Sequence, residues 1–424
     1  MGTLVDDCFA PDSRRMRHGD VLALLAARLE PVTGERSIAV MDARGRVAAE
    51  DIVSPIAVPQ SDNAAVDGFA FANGAHLAAG GTLQLAGRVA AGDRPGRLAP
   101  GRCMRIFTGA PMPQGADTVA MQEDCAVHPR EPDRIVIPQG LKPGANRRLA
   151  GEDFGTGDRI VARGDVLRPQ DLAALAATGH STIAVRSRLR IGVLSTGDEI
   201  VEPDAGGLGP AQVHDANRPM LLSLAASPRA VVSDLGLLRD DPALLRRTLA
   251  EAARGHDLII TSGGASRGEA DHMHDVLGEL GTCHLWQIAI KPGRPMLFGR
   301  IGDTVLVGLP GNPVAALVCF AVYVQPMIGH LCGADVRPPT GYDLPAAFEI
   351  GRKKTGRREF LRAWTAIDPQ TGALSAHKFS RDGSGLISGL QAAQGLIELD
   401  EDVAHVGRGD PVRFVPFAEM GLCP

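Results

Sequence analysis

Three sets of residues in the sequence have types and spacings suited to chemistry. Ser262-Gly263-Gly264 follows the apolar run DLIIT, so three small residues stand where a strand feeds a helix. Glycines there let backbone N–H groups approach an anion, and the start of a helix favours negative charge. An ordinary tight turn accounts for the same triplet, which is neither a P-loop, lacking GxxxxGK[ST], nor a dinucleotide fingerprint after the first strand of its unit. Glu199 in STGDE, Asp240 and Asp241 in RDD, and Asp271 in GEAD fall in or after loops that follow different strands. Carboxylates brought together beside an anion loop repel unless a cation neutralises them, and a hard divalent ion such as Mg²⁺ would do so; for Asp241, capping a helix is the plainer role. Asp271, His274 and Asp275 share a helical face, but no second His/Cys cluster at ligand spacing supports a structural zinc. Lys291-Pro-Gly-Arg294-Pro295 sets two cations three residues apart on a stiff loop, suited to one oxyanion or to a plain surface turn. Six cations between Arg352 and Arg362 flank the strand-like EFLRA, as a solvated face or as the roof of an anion site.

The elements that must position these loops follow from periodicity and punctuation. After Leu189, strands are expected at 189–194, 230–236, 257–264, 296–299 and 304–308, alternating with helices near 216–227, 242–255 and 272–280. Asp241 precedes Pro242 as an N-cap, and Asn312 precedes Pro313 in the same way. Such alternation implies a parallel, doubly wound α/β sheet with ligands at the carboxyl ends of its strands, in loops 195–199, 239–241, 262–271 and 308–312. Residues 19–28 and 169–178 read as helices, and short apolar pieces from 69 to 139 read as a small β domain inserted into a domain formed from both flanks. From about 337 the chain reads as strands again, in a β-barrel or small sheet.

Composition bounds the function. The chain has 424 residues, 44% of them hydrophobic, with 51 Gly and 30 Pro, a turn-rich multidomain protein rather than a helical bundle or a disordered chain. A net charge of −5 argues against nonspecific binding of nucleic acid or anionic membrane, and seven scattered cysteines without a CxxC fit a reduced, cytoplasmic chain. The first eighteen residues lack the apolar core of a secretory signal. Between Thr304 and Ala334 there is no Asp, Glu, Lys or Arg, but prolines and glycines leave only Val314–Val324 unbroken, which predicts a buried core helix too short to span a bilayer.

Taken together, SDNAAVDGFA (61–70), IFTGAPMP (106–113), GANRRLAGED (144–153), STGDE (195–199), LGLLRDDP (235–242), TSGGASRGEAD (261–271), AIKPGRP (289–295) and GLPGNPVAA (308–316) resemble, in order, the molybdopterin molybdenumtransferase family of MoeA and the gephyrin E domain. The resemblance implies an elongated homodimer: a discontinuous connecting domain (1–55 and 141–188), an inserted β domain (56–140), an α/β molybdopterin-binding domain (189–336) and a C-terminal β-barrel (337–424). It implies insertion of molybdate into adenylyl-molybdopterin, with Mg²⁺-dependent cleavage of the pyrophosphate and release of AMP, and a molybdopterin adenylyltransferase as a partner. Asp240 and Asp271 are the implied Mg²⁺ positions. Lys291 and Arg294, with the Ser262 and Gly263 amides and Gly264, are implied holders of molybdate; Pro295, Pro310 and Pro313 shape the pocket; Arg358 and Ser388 complete it. Asp67, Thr108 and Asp153 approach the cleft from the other subunit, and Glu199 lies on the α/β side. Ala65, Ala265, Arg267, Gln287 and Gly389 depart from the family pattern, which keeps open transfer of a related oxyanion such as tungstate. A non-catalytic molybdopterin-binding or scaffold protein is the competing class, and a nucleotidyltransferase consuming ATP is a third.

Overall fold

The computed structural model describes residues 15–204, 206–264 and 272–422. Asp271, with Ala265 and Arg267, therefore lies outside the described residues.

The α/β region is built on a six-stranded sheet in the order Ala230–Leu238, Leu189–Thr196, Leu258–Ser262, Thr304–Leu309, Pro295–Ile301, Thr282–Gln287. The first four strands run parallel and are covered by Asn217–Ala225, Pro242–Gly255 and Met273–Leu280. The last two do not follow the expected parallel pattern. Only Gly302 and Asp303 separate Pro295–Ile301 from Thr304–Leu309, and two residues suffice for a hairpin but not for the crossover that parallel strands require. Helix Pro242–Gly255 starts as its sequence dictates: Asp241 accepts from the N–H groups of Ala243 and Leu244, at 2.8 and 3.1 Å, while Pro242 needs no partner. Asn312 also sits at an N-cap position, but its side chain makes no capping bond.

The helical run after Asn312 does not end before Pro326. Pro313–Cys319 continues through a π-helical turn, Phe320–Val324, into Gln325–Leu331, where Pro326 occupies a first-turn position whose missing N–H costs little. The resulting 19-residue span, mean hydropathy 1.8, is long and apolar enough to cross a membrane, yet 78% of its most apolar window is buried inside the protein. It is the central core helix. Val318, Phe320 and Tyr323 share one cluster with Val21 and Leu25 of helix His18–Arg28, Ile191 and Val307 of the sheet, and Phe360 and Leu396 farther along the chain.

Two other sheets frame this core. Strands between Gly68 and Val136 form one, in the order Thr118–Met121, Gly68–Phe71, Arg102–Ile106, Thr82–Val89, Arg134–Val136, Ala126–Val127. Chain on both sides of it pairs: Glu35–Ala39 with Thr182–Arg186, and Ile52–Val53 with Arg159–Val161. In the third sheet Arg358–Ile367 is flanked by Leu374–Lys378 and Gly395–Leu399, followed by Pro411–Pro416 and Tyr342–Pro345. Ile290–Lys291, from the loop carrying the two predicted cations, joins this sheet parallel to Arg358–Glu359.

Candidate active site

At the carboxyl ends of the parallel strands, where the order reverses between Leu189–Thr196 and Leu258–Ser262, two cavities adjoin. Gly311 and Asn312 line both, making one cleft with two ends.

The cationic end, about 400 Å³, is lined by Gly264, Lys291, Arg294, Pro295 and Pro310, and by Arg362, Arg381 and Ser384 from the third sheet and its following loop. The short strand pairing at Lys291 sets it beside Glu359, whose buried carboxylate accepts from the Lys291 ammonium at 3.3 Å and pairs with Arg357 at 3.3 Å. Buried Arg362 donates to the carbonyls of Leu386 and Arg381, at 2.8 and 2.6 Å, and lies 4.7 Å from the centre of the Phe379 ring. Both ends of its fork are on neutral acceptors, and the nearest compensating charge is Asp382, which lines the same end and pairs with Lys378 at 3.5 Å. Burial holds its guanidinium below the usual arginine range. Gly389 explains the room it takes: a Cβ there would fall inside 3.0 Å of the guanidinium.

The other end, about 510 Å³, is lined by Ser195, Thr196, Glu199, Asp215, Asn217, Ser262, Gly263 and Pro313. The Thr196 hydroxyl donates to Asp240 Oδ1 at 2.6 Å, and the Asp240 N–H donates to Asp198 Oδ1 at 3.3 Å, so the strand-end loops at 196–198 and 240 brace one another, although Asp240 itself lines neither end. Arg218 supports this wall from behind through Asp215, Asp234 and Glu202. Ser262 and Gly311 are tied together by Asn217, whose Nδ2 lies 2.7 Å from each acceptor.

Four expectations from sequence change here. The Gly263 amide is not available to an anion, because it donates to the Leu309 carbonyl at 3.2 Å and extends the strand pairing. Arg358 turns away from the cleft: Glu398, Asp400 and Glu401 take its guanidinium, and it lines a separate cavity with His18. Burial opposes its charge, but Glu398 and its neighbours outweigh that and hold the guanidinium above the ordinary arginine range. Ser388 opens a short exposed helix and lines neither end, whereas Ser384 does line the cationic end. Asp67 and Thr108 are together but lie beside the sheet formed between Gly68 and Val136: Asp67 accepts from the Thr108 N–H and hydroxyl, both at 2.8 Å, bonds that hold its carboxyl below the usual range. Neither they nor the exposed Asp153 line the cleft of this chain.

Arg362, Arg381, Ser384, Thr196, Asp198 and Asn217 were not singled out by sequence reasoning. Arg362 belonged to a basic run that alone could not separate a buried cation from solvated ones, and the HDAN sequence at 214–217 offers only a loop-to-helix transition.

A cleft at a topological switch point, cationic at one end and hydroxyl- and carboxylate-lined at the other, defines a binding domain for an extended anionic ligand. Residues 192–330, which contain most of that cleft, match the family described as "Probable molybdopterin binding domain", residues 16–179 match "MoeA N-terminal region (domain I and II)", and residues 345–417 match "MoeA C-terminal region (domain IV)". The chain belongs to the MoeA family. It is 38% identical to the molybdopterin molybdenumtransferase of Haemophilus influenzae over 90% of this chain and 93% of that one. It is 33% identical to molybdopterin molybdenumtransferase 2 of Mycobacterium tuberculosis over 92% and 96%. The crystal structure of the molybdopterin biosynthesis MoeA protein from Pyrococcus horikoshii OT3 superposes with a TM-score of 0.80 at 27% identity, covering 95% of this chain and 100% of that one.

Proposed function

We propose that this chain is a molybdopterin molybdenumtransferase in molybdenum cofactor biosynthesis, joining molybdate to adenylyl-molybdopterin with cleavage of the pyrophosphate and release of AMP. The observation that carries the reading is the continuity of the two cavities through Gly311 and Asn312. One ligand can then present a pyrophosphate to the end lined by Thr196, whose hydroxyl bonds to Asp240, and by Glu199, while an oxyanion sits among Lys291, Arg294, Arg362 and Ser384. Molybdate, a tetrahedral dianion, suits the cationic end; Arg forks and a Lys point charge neutralise it, and Ser384 supplies a hydroxyl donor. Pro295, Pro310 and Pro313 stiffen the loops, so less order is lost on binding.

The donor set also suits Mg²⁺. Asp240 offers a hard carboxylate braced by Thr196, and Mg²⁺ characteristically takes one or two carboxylates and fills its shell with water and substrate phosphates. No cluster of three or more His, Cys, Asp or Glu able to hold a metal occurs among the described residues, so a cage built wholly from them is not the arrangement. Asp240, with Asp271 beyond them, would hold the ion, which when bound supplies charge neutralisation to the pyrophosphate. Asp198 and Thr196 orient Asp240, and Glu199 faces the same end of the cleft.

Asp67, Thr108 and Asp153 lie off the cleft of their own chain; in a homodimer of the kind the family resemblance implies, the second copy would bring them to it. We assign residues 1–55 with 141–188, 56–140, 189–336 and 337–424 as the four domains. The Ala346–Ala376 bridge, which links the ends of the third sheet, supports a closed C-terminal barrel. The free thiols of Cys103, Cys125, Cys283, Cys319 and Cys332 suit the reducing cytoplasm, where a molybdopterin adenylyltransferase would deliver the substrate.

The test supplies purified chain with adenylyl-molybdopterin plus molybdate in one arm and with molybdopterin plus ATP in the other. Molybdate-dependent AMP release in the first arm alone is expected. ATP consumption in the second would make the chain a nucleotidyltransferase, tungstate accepted in preference to molybdate would change the oxyanion, and no turnover in either would leave a binding protein.

A further inference from the structure

We infer that Asn217 is a positioning residue that fixes the polarity of the Ser262 hydroxyl, leaving its proton to be donated to phosphate oxygens at the hydroxyl-lined end of the cleft. The inference rests on the pyrophosphate reading of that end given above. The Asn217 side chain is buried, at the start of helix Asn217–Ala225, and the same atom lies 2.7 Å from Ser262 Oγ and 2.7 Å from the Gly311 carbonyl oxygen. A carbonyl oxygen can only accept, so the atom facing Gly311 is the amide nitrogen; the flipped amide would set two acceptors against each other.

The nitrogen carries two protons, one for each partner. Ser262 Oγ is therefore an acceptor toward Asn217, and its single O–H is turned elsewhere. Among the described residues Asn217 is the hydrogen-bond partner the Ser262 hydroxyl has, and Ser262 lines the cleft. A hydroxyl that has accepted inside the protein and donates outward is a polarised donor, matched to an anion and mismatched to a donor ligand. Asn217 Oδ1, in contrast, is buried without a partner, so the residue is used for its two donors at the expense of its acceptor. The same bond to Gly311 fixes the loop shared by the two ends of the cleft.

The test is isothermal titration of the full-length chain with sodium pyrophosphate, using wild type, Asn217→Ala, Ser262→Ala and the double variant, with thermal melts to confirm folding. Each single change is expected to weaken pyrophosphate binding roughly ten-fold, the scale of one hydrogen bond to a charged group. The double variant should lose less than the two single losses combined, because part of the Asn217 effect passes through Ser262 while its bond to Gly311 is lost in both backgrounds. Additive losses in the double variant, or wild-type affinity in Asn217→Ala, overturn the inference. If the wild-type chain itself fails to bind pyrophosphate, it is the reading of that end as the pyrophosphate end that fails. Should Asn217→Ala not fold, Asn217→Asp keeps the volume; its carboxylate draws the Ser262 proton to itself, so it must lower affinity in the wild-type background more than in the Ser262→Ala background.

Discussion

Gly263→Ala is the sharpest test of how the strand ends make the cleft. Gly263 has φ +87°, left-handed backbone that a residue with a Cβ adopts at a cost of roughly 1–2 kcal/mol. A Cβ there would also fall inside 3.0 Å of the Thr196 backbone oxygen, which belongs to the neighbouring strand and cannot swing away as a side chain would. Forced overpacking of this kind costs about 1–3 kcal/mol, so the substitution should destabilise the chain by about 2–5 kcal/mol in all. The displaced atom adjoins the Thr196 hydroxyl that braces Asp240, so AMP release should fall more steeply than stability predicts. Gly311→Ala provides the contrast for folding alone: its backbone is not left-handed and a Cβ meets nothing within 4 Å. Urea titration followed by tryptophan fluorescence measures the first effect, and AMP release by chromatography the second. A Gly263→Ala chain that melts and turns over like wild type would refute both the close approach of these strand ends and their role in holding Asp240.

Asp241→Ala should cost about 1 kcal/mol in urea titration through the lost helix cap, with AMP release unchanged; a large loss of turnover would return Asp241 to the site. Arg218→Met leaves Asp215 buried and unpaired, and a loss of about 3 kcal/mol is expected, partly recovered in Arg218→Met/Asp215→Asn; no loss in the single variant would show the cluster to be only a surface feature. Burial, then the Arg358 charge, holds His18 below the ordinary imidazole value of 6.5, against the opposing pull of Glu398, Glu401 and Asp400, while its Nδ1 lies 3.1 Å from the Tyr323 hydroxyl and its ring packs on Phe360. The unfolded chain then takes up a proton that the folded chain refuses, so this contribution to stability is full above pH 6.5 and declines as pH falls from there through the folded value. Urea midpoints at pH 7.5 and 5.5 should differ less in His18→Gln than in wild type, and an equal difference would exclude His18 as the source.

Local signals were legible wherever a few neighbouring residues decide the outcome. Asp241-Pro242 starts a helix because both its orphan donors and its first φ are settled within four residues, and the apolar runs at 189–194 and 257–261 are strands because both faces are buried. Reading stopped where distant chain decides. Arg358 and Arg362 stand in one basic run, yet Glu398, on the strand paired with Phe360, takes the first, while the loop at 381–386 and the space at Gly389 take the second. Pro326 reads as a helix break because the five-residue π-helical turn Phe320–Val324 that precedes it is invisible to apolar periodicity. The hairpin at Gly302-Asp303 was written in the spacing, and the strong alternation of strands and helices before it overrode that shorter-range sign.

On the proposed reading, an oxyanion held by basic side chains and a pyrophosphate held through a cation on carboxylates call for groups of opposite charge within one ligand's length, and a chain with a net charge of −5 must separate them by position. Here the separator is the loop Gly311-Asn312, the wall common to both ends. It is held from the α/β side by Asn217 on the Gly311 carbonyl, from its own helix by Ala316 N–H on the Asn312 carbonyl at 2.9 Å, and from the third sheet's loop by the Ser384 carbonyl, which accepts from Val314 N–H at 3.0 Å. Ser384 thus lines the cationic end and anchors the helix that starts at the separator. Behind it, Val318 and Phe320 share a core with Phe360 and Leu396, so the strand that carries Arg362 is packed against the helix that this loop begins. A shift of the third sheet would therefore move the cations and the separator together, preserving the distance between the anion-holding residues and the Thr196–Asp240 pair better than independent loops could.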